Sequence, residues 1–419
     1  MEQKRTVVIV VTLDTKGPAA QFLRDKIAAW GLDTILIDPG ILGAPAFPAN
    51  ITRWQIAETA GTSLEALIAS GDKQACIASQ TEGLCRVVSG LYDEGRLDGI
   101  ISLGGALGTA IGTAAMRVLP VGVPKLMLSS IATGSSQFKP YISTKDICIM
   151  HSVTDIMDVN AISQPILSNA ANGISGMVIK SSALAQEPAT TIGITQSVMT
   201  TPCVMRLKRL LGQQGYQIAP FLTGRSGGLA MEELILSQRL TGVIDLSVHE
   251  IIDYLFGGTA GAADRLESLS RCSIPAVVSV GDMDYLQFDT LEKTPPGYHD
   301  RPHIVHDEQM TVVQPTATEM EAVARYLAEK LNLALGPTIV VVPSVGFSDV
   351  NHPGSTLWFP EGNRAVIRVL EGSLHPEVPL VVVDAHINQP VFADIIAVCM
   401  ARLLAGEPPP SIAARYQFD

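Results

Sequence analysis

The chain has 419 residues, 47% of them hydrophobic, and its 29 Lys plus Arg against 41 Asp plus Glu give a net charge of −12. Such hydrophobicity excludes a disordered chain, and an acidic total without a basic run argues against nucleic acid or an anionic membrane as partner. At about 150 residues per domain the length predicts two or three domains, and no apolar run approaches the ~18 residues that suggest a membrane span.

The N-terminus, MEQKRTVVIVV, meets Thr12 and Asp14 after a short apolar run. It lacks the apolar core and cleavage site of a secretory signal. The six cysteines are scattered, none in a CxxC pair, which reads as reduced thiols in a cytosolic protein.

Continuous apolar runs, each followed by a Gly, Thr, Ser or Asp cluster and a helical pattern, predict strands buried on both faces of a parallel sheet. The first is Thr6–Val11, then Leu13 to Pro18, with Pro18 in the first turn of a helix that stops near Gly31. A strand at Thr34–Ile37 precedes a mobile-looking stretch, 39–54. Strands at Gly99–Leu103 and Lys125–Leu128 meet the clusters Gly104–Thr109 and Ser129–Gly134. The second half repeats this order at Thr191–Thr195, Tyr216–Phe221, Gly242–Leu246 and Ala276–Val280, with further strands at Ile339–Val342 and Leu380–Val383. The expected fold is α/β: two Rossmann-like domains, each a mainly parallel sheet flanked by helices. The expected domains are 1–185 and 186–405, and 406–419, with three consecutive prolines, reads as an extended arm.

In open α/β sheets ligands bind beyond the carboxyl ends of the strands, where the polar clusters fall. Helix N-termini there supply free amides that suit phosphate or carboxylate. Gly104–Thr109 is neither a Walker A loop nor GxGxxG, so tight strand–helix packing and an anion cradle both remain open. In the Thr12–Lys16 loop, Lys16 suits a phosphate and Asp14 a metal-bound water or a ribose hydroxyl, against a helix cap with a solvated lysine. A third loop adds Ser129, Ser130, Thr133 and Gly134, followed by Thr144 and Asp146. Three such loops together favour a phosphorylated ligand. His249-Glu250 lacks the second histidine of HExxH. His299, His303 and His306, in a Pro-rich loop, default to a solvated or hydrogen-bonded role. Asp384, His386 and Asn388 end the last strand and form a candidate acid–base group with Ser348, Asp349 and His352.

These motifs occur in one order: T-x-D-T-K at Thr12–Lys16, LGG…GT at Leu103–Thr109, PxGxPK at Pro120–Lys125 and TTPCV at Thr200–Val204. TGxxGGxAME at Thr223–Glu232, DYLFGG at Asp253–Gly258 and HIN at His386–Asn388 follow. In them the chain resembles the family of the tomato mosaic virus resistance protein, from Thr6 to about Ala405. The resemblance implies two Rossmann-like domains, ATP held by the N-terminal one, and a homodimer. Carried onto this chain, the nucleotide site is Asp14, Thr15 and Lys16 with Gly104, Gly105, Gly108 and Thr109, completed by Ser129, Ser130, Thr133, Gly134, Thr144 and Asp146. Ala106 and Leu107 depart from the family's smaller or polar residues, and the segments Leu246–Glu250 and Gly346–Gly354 also depart from its pattern.

The resulting expectation is a cytosolic ATP-binding protein, with Mg2+ an open requirement, that acts on a small anionic metabolite between its domains. Its acid–base candidates are Glu232, Glu250 and His386. A second-domain anion site is expected at Thr200, Thr201, Gly224, Gly227 and Gly228. Two alternatives stay open: a non-catalytic nucleotide-binding interaction protein, and an ATP-independent lyase or hydrolase using the C-terminal cleft.

Overall fold

A computed structural model describes residues 4–133, 138–181, 190–224 and 226–416. The chain divides into two compact units, Met1–Ala185 and Gln186–Asp419. The first holds a five-stranded sheet of β1 (Thr6–Val10), β2 (Asp33–Ile37), β3 (Gly99–Gly104), β4 (Lys125–Ser129) and β5 (Cys148–His151). All pairings are parallel, and the spatial order is β2-β1-β3-β4-β5. Val7, Val8, Ile9 and Val10 are buried on alternating faces, so β1 needs apolar residues throughout, as parallel strands under two helical layers do. The edge strand β5 is only four residues long and largely uncovered, and the sequence reading misses it.

The second unit holds β6 (Thr191–Gln196), β7 (Gln217–Leu222), β8 (Gly242–Ser247), β9 (Ala276–Gly281), then a hairpin region of β10 (Leu286–Phe288), β11 (His303–Asp307) and β12 (Met310–Val313), and finally β13 (Thr338–Pro343) and β14 (Leu380–Val383). Six of these form a parallel sheet of order β14-β13-β9-β8-β6-β7, while β10, β12 and β11 form a small antiparallel sheet. The α/β class and the two parallel, helix-flanked sheets stand as expected; the small sheet is an addition with no counterpart in the first unit.

Taken within each unit, the order is 2-1-3-4-5, extended by one strand in the second. The strand order therefore reverses between β1 and β3, and again between β6 and β8. Such reversals open a crevice at the carboxyl ends of the strands.

Within its described residues, 406–416, the tail is not an extended arm. Pro409–Ala413 is a short helix with proline in its first turn, and Ile412 and Ala413 are buried in the second unit's core. Proline is tolerated in a helix's first turn, and the apolar pair behind it has a core to enter.

Among the described residues no helix is long and apolar enough to cross a membrane.

Candidate functional site

At the first crossover the ends of β1, β2 and β3 surround a cleft of about 550 Å³. Its lining comes from Thr12, Asp14, Thr15 and Lys16 after β1, Pro39 to Leu42 after β2, and Gly105 to Gly108 after β3. Two segments without a sequence signal close it: Ile68 and Gly71, then Lys73, Cys76 and Ile77 at the start of the helix Lys73–Asp93. Leu42, Ile68 and Leu107 stay exposed at its walls. A contiguous exposed apolar group of this kind marks a ligand groove more often than a bare surface.

The segment 39–54 is no loose loop. Arg53, 1% exposed, donates twice to one Asp38 oxygen (3.0 and 2.7 Å) and to the Leu42 and Gly43 carbonyls. The other Asp38 oxygen accepts from the Leu13 and Gly40 amides. One buried ion pair thus fixes the Pro39–Gly43 wall against the end of β1. Helical backbone already begins at Leu13, is interrupted at Lys16, and resumes with Pro18 in the first turn after the kink, as the sequence predicts. Asp38 supplies the missing cap from another strand, and the kink accommodates a proline that has no N–H to donate.

The first-unit candidates do not all reach the cleft. Asp14, Thr15, Gly105 and Gly108 line the cleft. Lys16 lines it too, but its ammonium donates to the Ile156 carbonyl at 2.9 Å and lies 3.4 Å from Asp155, so it is not the free cation expected. Gly104 serves packing: a Cβ there would stand 2.7 Å from Gly108 Cα. Gly105 differs, since a Cβ there would meet only Ser130 Oγ, at 3.6 Å. Its missing side chain keeps the cleft open. Thr109 and Ser129 are buried and bond each other at 2.7 Å, so they join the end of β4 to the helix that follows β3 and do not face a ligand. Ser130 sits beside Gly105, and Thr133 is exposed. Gly134 lies outside the described residues.

Thr144 and Asp146 are misplaced by the sequence reading. Asp146 accepts from Lys125 Nζ (2.8 Å) and the Gly122 amide, and Lys125 begins β4. Both residues belong to the chain's return before β5, at the amino ends of the strands, because a parallel strand must restart at the opposite edge of the sheet.

The helix Ala106–Arg117 has Gly105 as N-cap and no side-chain cap. Its first amides therefore face the cleft end, and the dipole favours an anion there.

The second crossover has different chemistry. Arg265, fully buried, lies 2.8 Å from Glu232, 2.7 Å from Asp245 and 3.3 Å from Glu250. Glu232 also accepts the Leu266 and Ser268 amides. Glu232 and Glu250 are thus buried ion-pair partners, not free acid–base groups. A Cβ on Gly228 would stand 2.6 Å from both Arg265 and Glu250, and one on Gly227 would strike the Leu222 carbonyl. Thr200 bonds Ser247, and Thr201 donates to the Ser197 carbonyl. Gly224 takes a left-handed turn at φ +81°. Thr200, Thr201, Gly227 and Gly228 are thus engaged in internal hydrogen bonds or packing and Gly224 in a tight turn, beside a cluster of carboxylates.

That excess continues in Asp253, Asp282 and Asp284, all buried. Neither Asp282 carboxylate oxygen has a hydrogen bond of good geometry, and the residue holds a left-handed backbone at φ +63°. Burial pushes Asp282 up to about 7, against the opposing Ser197 hydroxyl and His249, and Asp284 up to about 6. His249 stacks on Tyr285 with centroids 4.5 Å apart, and its Nδ1 bonds the Asp282 carbonyl at 3.0 Å. Burial disfavours the charged ring, but Asp253 at 3.3 Å and Asp282 together outweigh it and raise His249 to about 9. The sequence reading missed Arg265, Asp282 and Asp284, although Asp282 and Asp284 end a strand, as site residues do.

His386 meets the Ser348 loop as expected, through Nε2 to the Ser348 carbonyl at 2.9 Å. Its Nδ1 accepts from the Asn388 amide at 3.2 Å. Both ring nitrogens are occupied by backbone and burial lowers its affinity for a proton, so it ties two loops together and is not a free base. Asp384 bonds Ser344 instead. His299 and His303 bond the local Thr294 and Arg301 carbonyls.

Two family models match the chain: Uncharacterised protein family (UPF0261) N-terminal domain over residues 5–183, and the C-terminal domain of the same family over 189–404. A UPF0261 protein of Clostridium tetani is 35% identical over 94% of this chain and 97% of its own length. The ToMV resistance protein Tm-1(GCR237) of Solanum lycopersicum is 34% identical over 76% of this chain and 43% of that protein. Among solved structures, a UDP-N-acetylglucosamine 2-epimerase from Rickettsia bellii aligns with 11% identity and a TM-score of 0.24, over 66% of this chain and 79% of that one. That likeness is too distant to carry functional weight.

Proposed function

The chain belongs to the UPF0261 family, and from that premise and the geometry of its first unit we propose that it is an adenine-nucleotide-binding protein, with the ligand in the cleft at the β1/β3 crossover. The observation that carries this reading is the cleft itself: an apolar slot of about 550 Å³ at a topological switch point, ending on an uncapped helix N-terminus. The apolar side suits a purine ring, and the amides after Gly105 suit a phosphate. ATP, implied by the family resemblance, is the first nucleotide to test. A hydrolase or lyase in the second unit using Asp384, His386 or His352 finds less support, because Asp384 and His386 are both engaged in internal contacts.

Calorimetric titration with adenine nucleotides tests the reading, with Gly105→Val as the blocking variant. Gly105 has φ −79°, and a Cβ there has room, so the variant is expected to melt within a few degrees of wild type. Its branched side chain fills the cleft, and affinity is expected to fall at least about tenfold from a micromolar starting point near −8 kcal/mol. No heat with the wild type, or equal binding by the variant, removes the nucleotide from this cleft.

A further inference from the structure

The segment that follows β5 is locally strained. Val153 holds a left-handed backbone at φ +64°, in a three-residue turn closed by the Thr154 amide on the Ser152 carbonyl at 2.6 Å. The Ser152 hydroxyl, donating to the Thr154 carbonyl at 2.6 Å, tightens the same turn. A β-branched residue is among the least suited to that backbone region. The Val153 side chain, 64% exposed, gains little from packing there. Thr154 in turn keeps a buried hydroxyl oxygen without a hydrogen-bond partner, which adds to the cost. Such strain persists where the surroundings hold it in place.

The two ends of this strap are fixed. The Ser152 amide donates to the Ser129 carbonyl, continuing the pairing with β4, and Ile156 is buried in the first unit's core. At the second end Lys16 reaches in from the cleft, with its ammonium 2.9 Å from the Ile156 carbonyl and 3.4 Å from Asp155. Neither hold is strong. Asp155 is exposed, so water screens the pair, and the carbonyl carries no net charge. Lys16 also lines the cleft, on a backbone that is non-helical at that residue, and its long stem can turn. A phosphate in the cleft offers this ammonium a charge-assisted bond stronger than either present contact.

Resting on the nucleotide reading above, we propose that the strap of residues 152–156 and a phosphate-bearing nucleotide compete for Lys16, so that binding exchanges a held, strained strap for a released one. In the held form the Lys16 contacts offset the strain at Val153. When a phosphate draws the ammonium away, that offset is lost and Val153 leaves the left-handed region. The difference between the two forms is what the ligand acts on: strain stored in the free protein favours binding, and the Lys16–Asp155 contact opposes it. The exposed side chains of Val153 and Met157 carry the change to the surface beside β5.

The test titrates the full-length wild type, Val153→Asn and Asp155→Asn with Mg2+-ATP and with adenosine. Asparagine tolerates the left-handed region, so Val153→Asn stabilises the held strap. It should melt at or above wild type and bind ATP about fivefold more weakly, the cost of a left-handed backbone at a residue with a side chain. Asp155→Asn loosens the hold on Lys16 and should bind ATP about two- to fivefold more tightly, the worth of an exposed ion pair. Adenosine brings no phosphate, so both variants should bind it as wild type does. ATP affinities that fail to move in opposite directions, or that move equally for adenosine, overturn the competition and leave the strap a structural link. Val153→Asn melting below wild type overturns the strain. Silence of the wild type toward both ligands overturns the nucleotide reading, and the competition with it, and is told apart from the other failures because no variant comparison is then needed.

Discussion

Arg265→Met is expected to destabilise the second unit by about 3–5 kcal/mol, the cost of leaving buried charges without their partner. The guanidinium lies within 3.3 Å of three carboxylates, those of Glu232, Asp245 and Glu250. None of them can reach water, since Glu232 is 6% exposed and the other two 1% each. Methionine replaces much of the volume, so the loss reports charge and not a cavity. Without the guanidinium, the carboxylates bind protons in the folded state more readily than in the unfolded one. The deficit against wild type should therefore shrink as pH falls from 8 to 5. Urea unfolding at the two pH values measures both effects. A deficit under 1 kcal/mol, or one that does not change with pH, contradicts the assignment of Arg265 as the common counter-ion.

Asp282→Asn is expected to stabilise the protein at pH 8, by about 1–2 kcal/mol. The folded carboxyl titrates near 7 because burial holds it up, against about 4 in the unfolded chain. Between those values the folded state holds the extra proton, so the Asp282 contribution to stability falls as pH rises from about 4 to about 7. Asparagine keeps the shape and cannot ionise, which removes that fall. His249 works in the same direction at higher pH. Its folded value near 9 lies above the usual 6.5, so the stability it adds is complete below 6.5 and is lost as pH rises through 9. Losing the Asp282 charge also weakens the hold on the His249 proton, which is why the expected gain is smaller than the shift alone implies. The measurement is the difference in unfolding free energy between variant and wild type at pH 4, 6 and 8. It should be near zero at pH 4 and grow to pH 8. A difference that is flat across this range means the Asp282 carboxyl ionises in the fold as it does in water.

Both predictions concern side chains whose importance is not written in local sequence. Asp282 and Asp284 end β9 in the run Gly281-Asp282-Met283-Asp284, which resembles any polar turn after a strand. Their burial comes from the Phe347 and Asn351 loop that folds over them, more than sixty residues further on. Lys16 and Lys73 invert in the same way. In the sequence Lys16 sits in a strand-end motif and Lys73 in an unremarked helix start. In the fold Lys16 is held by a segment 140 residues away, and Lys73 lines the cleft without a side-chain partner among the described residues.

The sequence by itself determined the two parallel sheets, the positions of most strands and the clusters at their carboxyl ends. These follow from short-range pattern: apolar runs buried on both faces, and Gly, Thr, Ser and Pro where chains turn into helices. The edge strand β5 and the small sheet escaped because strands of three to five residues leave little periodic signal. The tertiary structure alone decided which polar residues face the cleft and which are spent inside. A hydrogen bond or ion pair is chosen among partners far apart in the chain. Asp38 caps the helix at Leu13, Arg53 fixes the wall at Leu42, Arg265 gathers Glu232, Asp245 and Glu250, and the return to β5 carries Asp146 to the far edge of the sheet. Residue type and spacing named the candidates, but only the path of the chain in space could tell a free cation from a buried one.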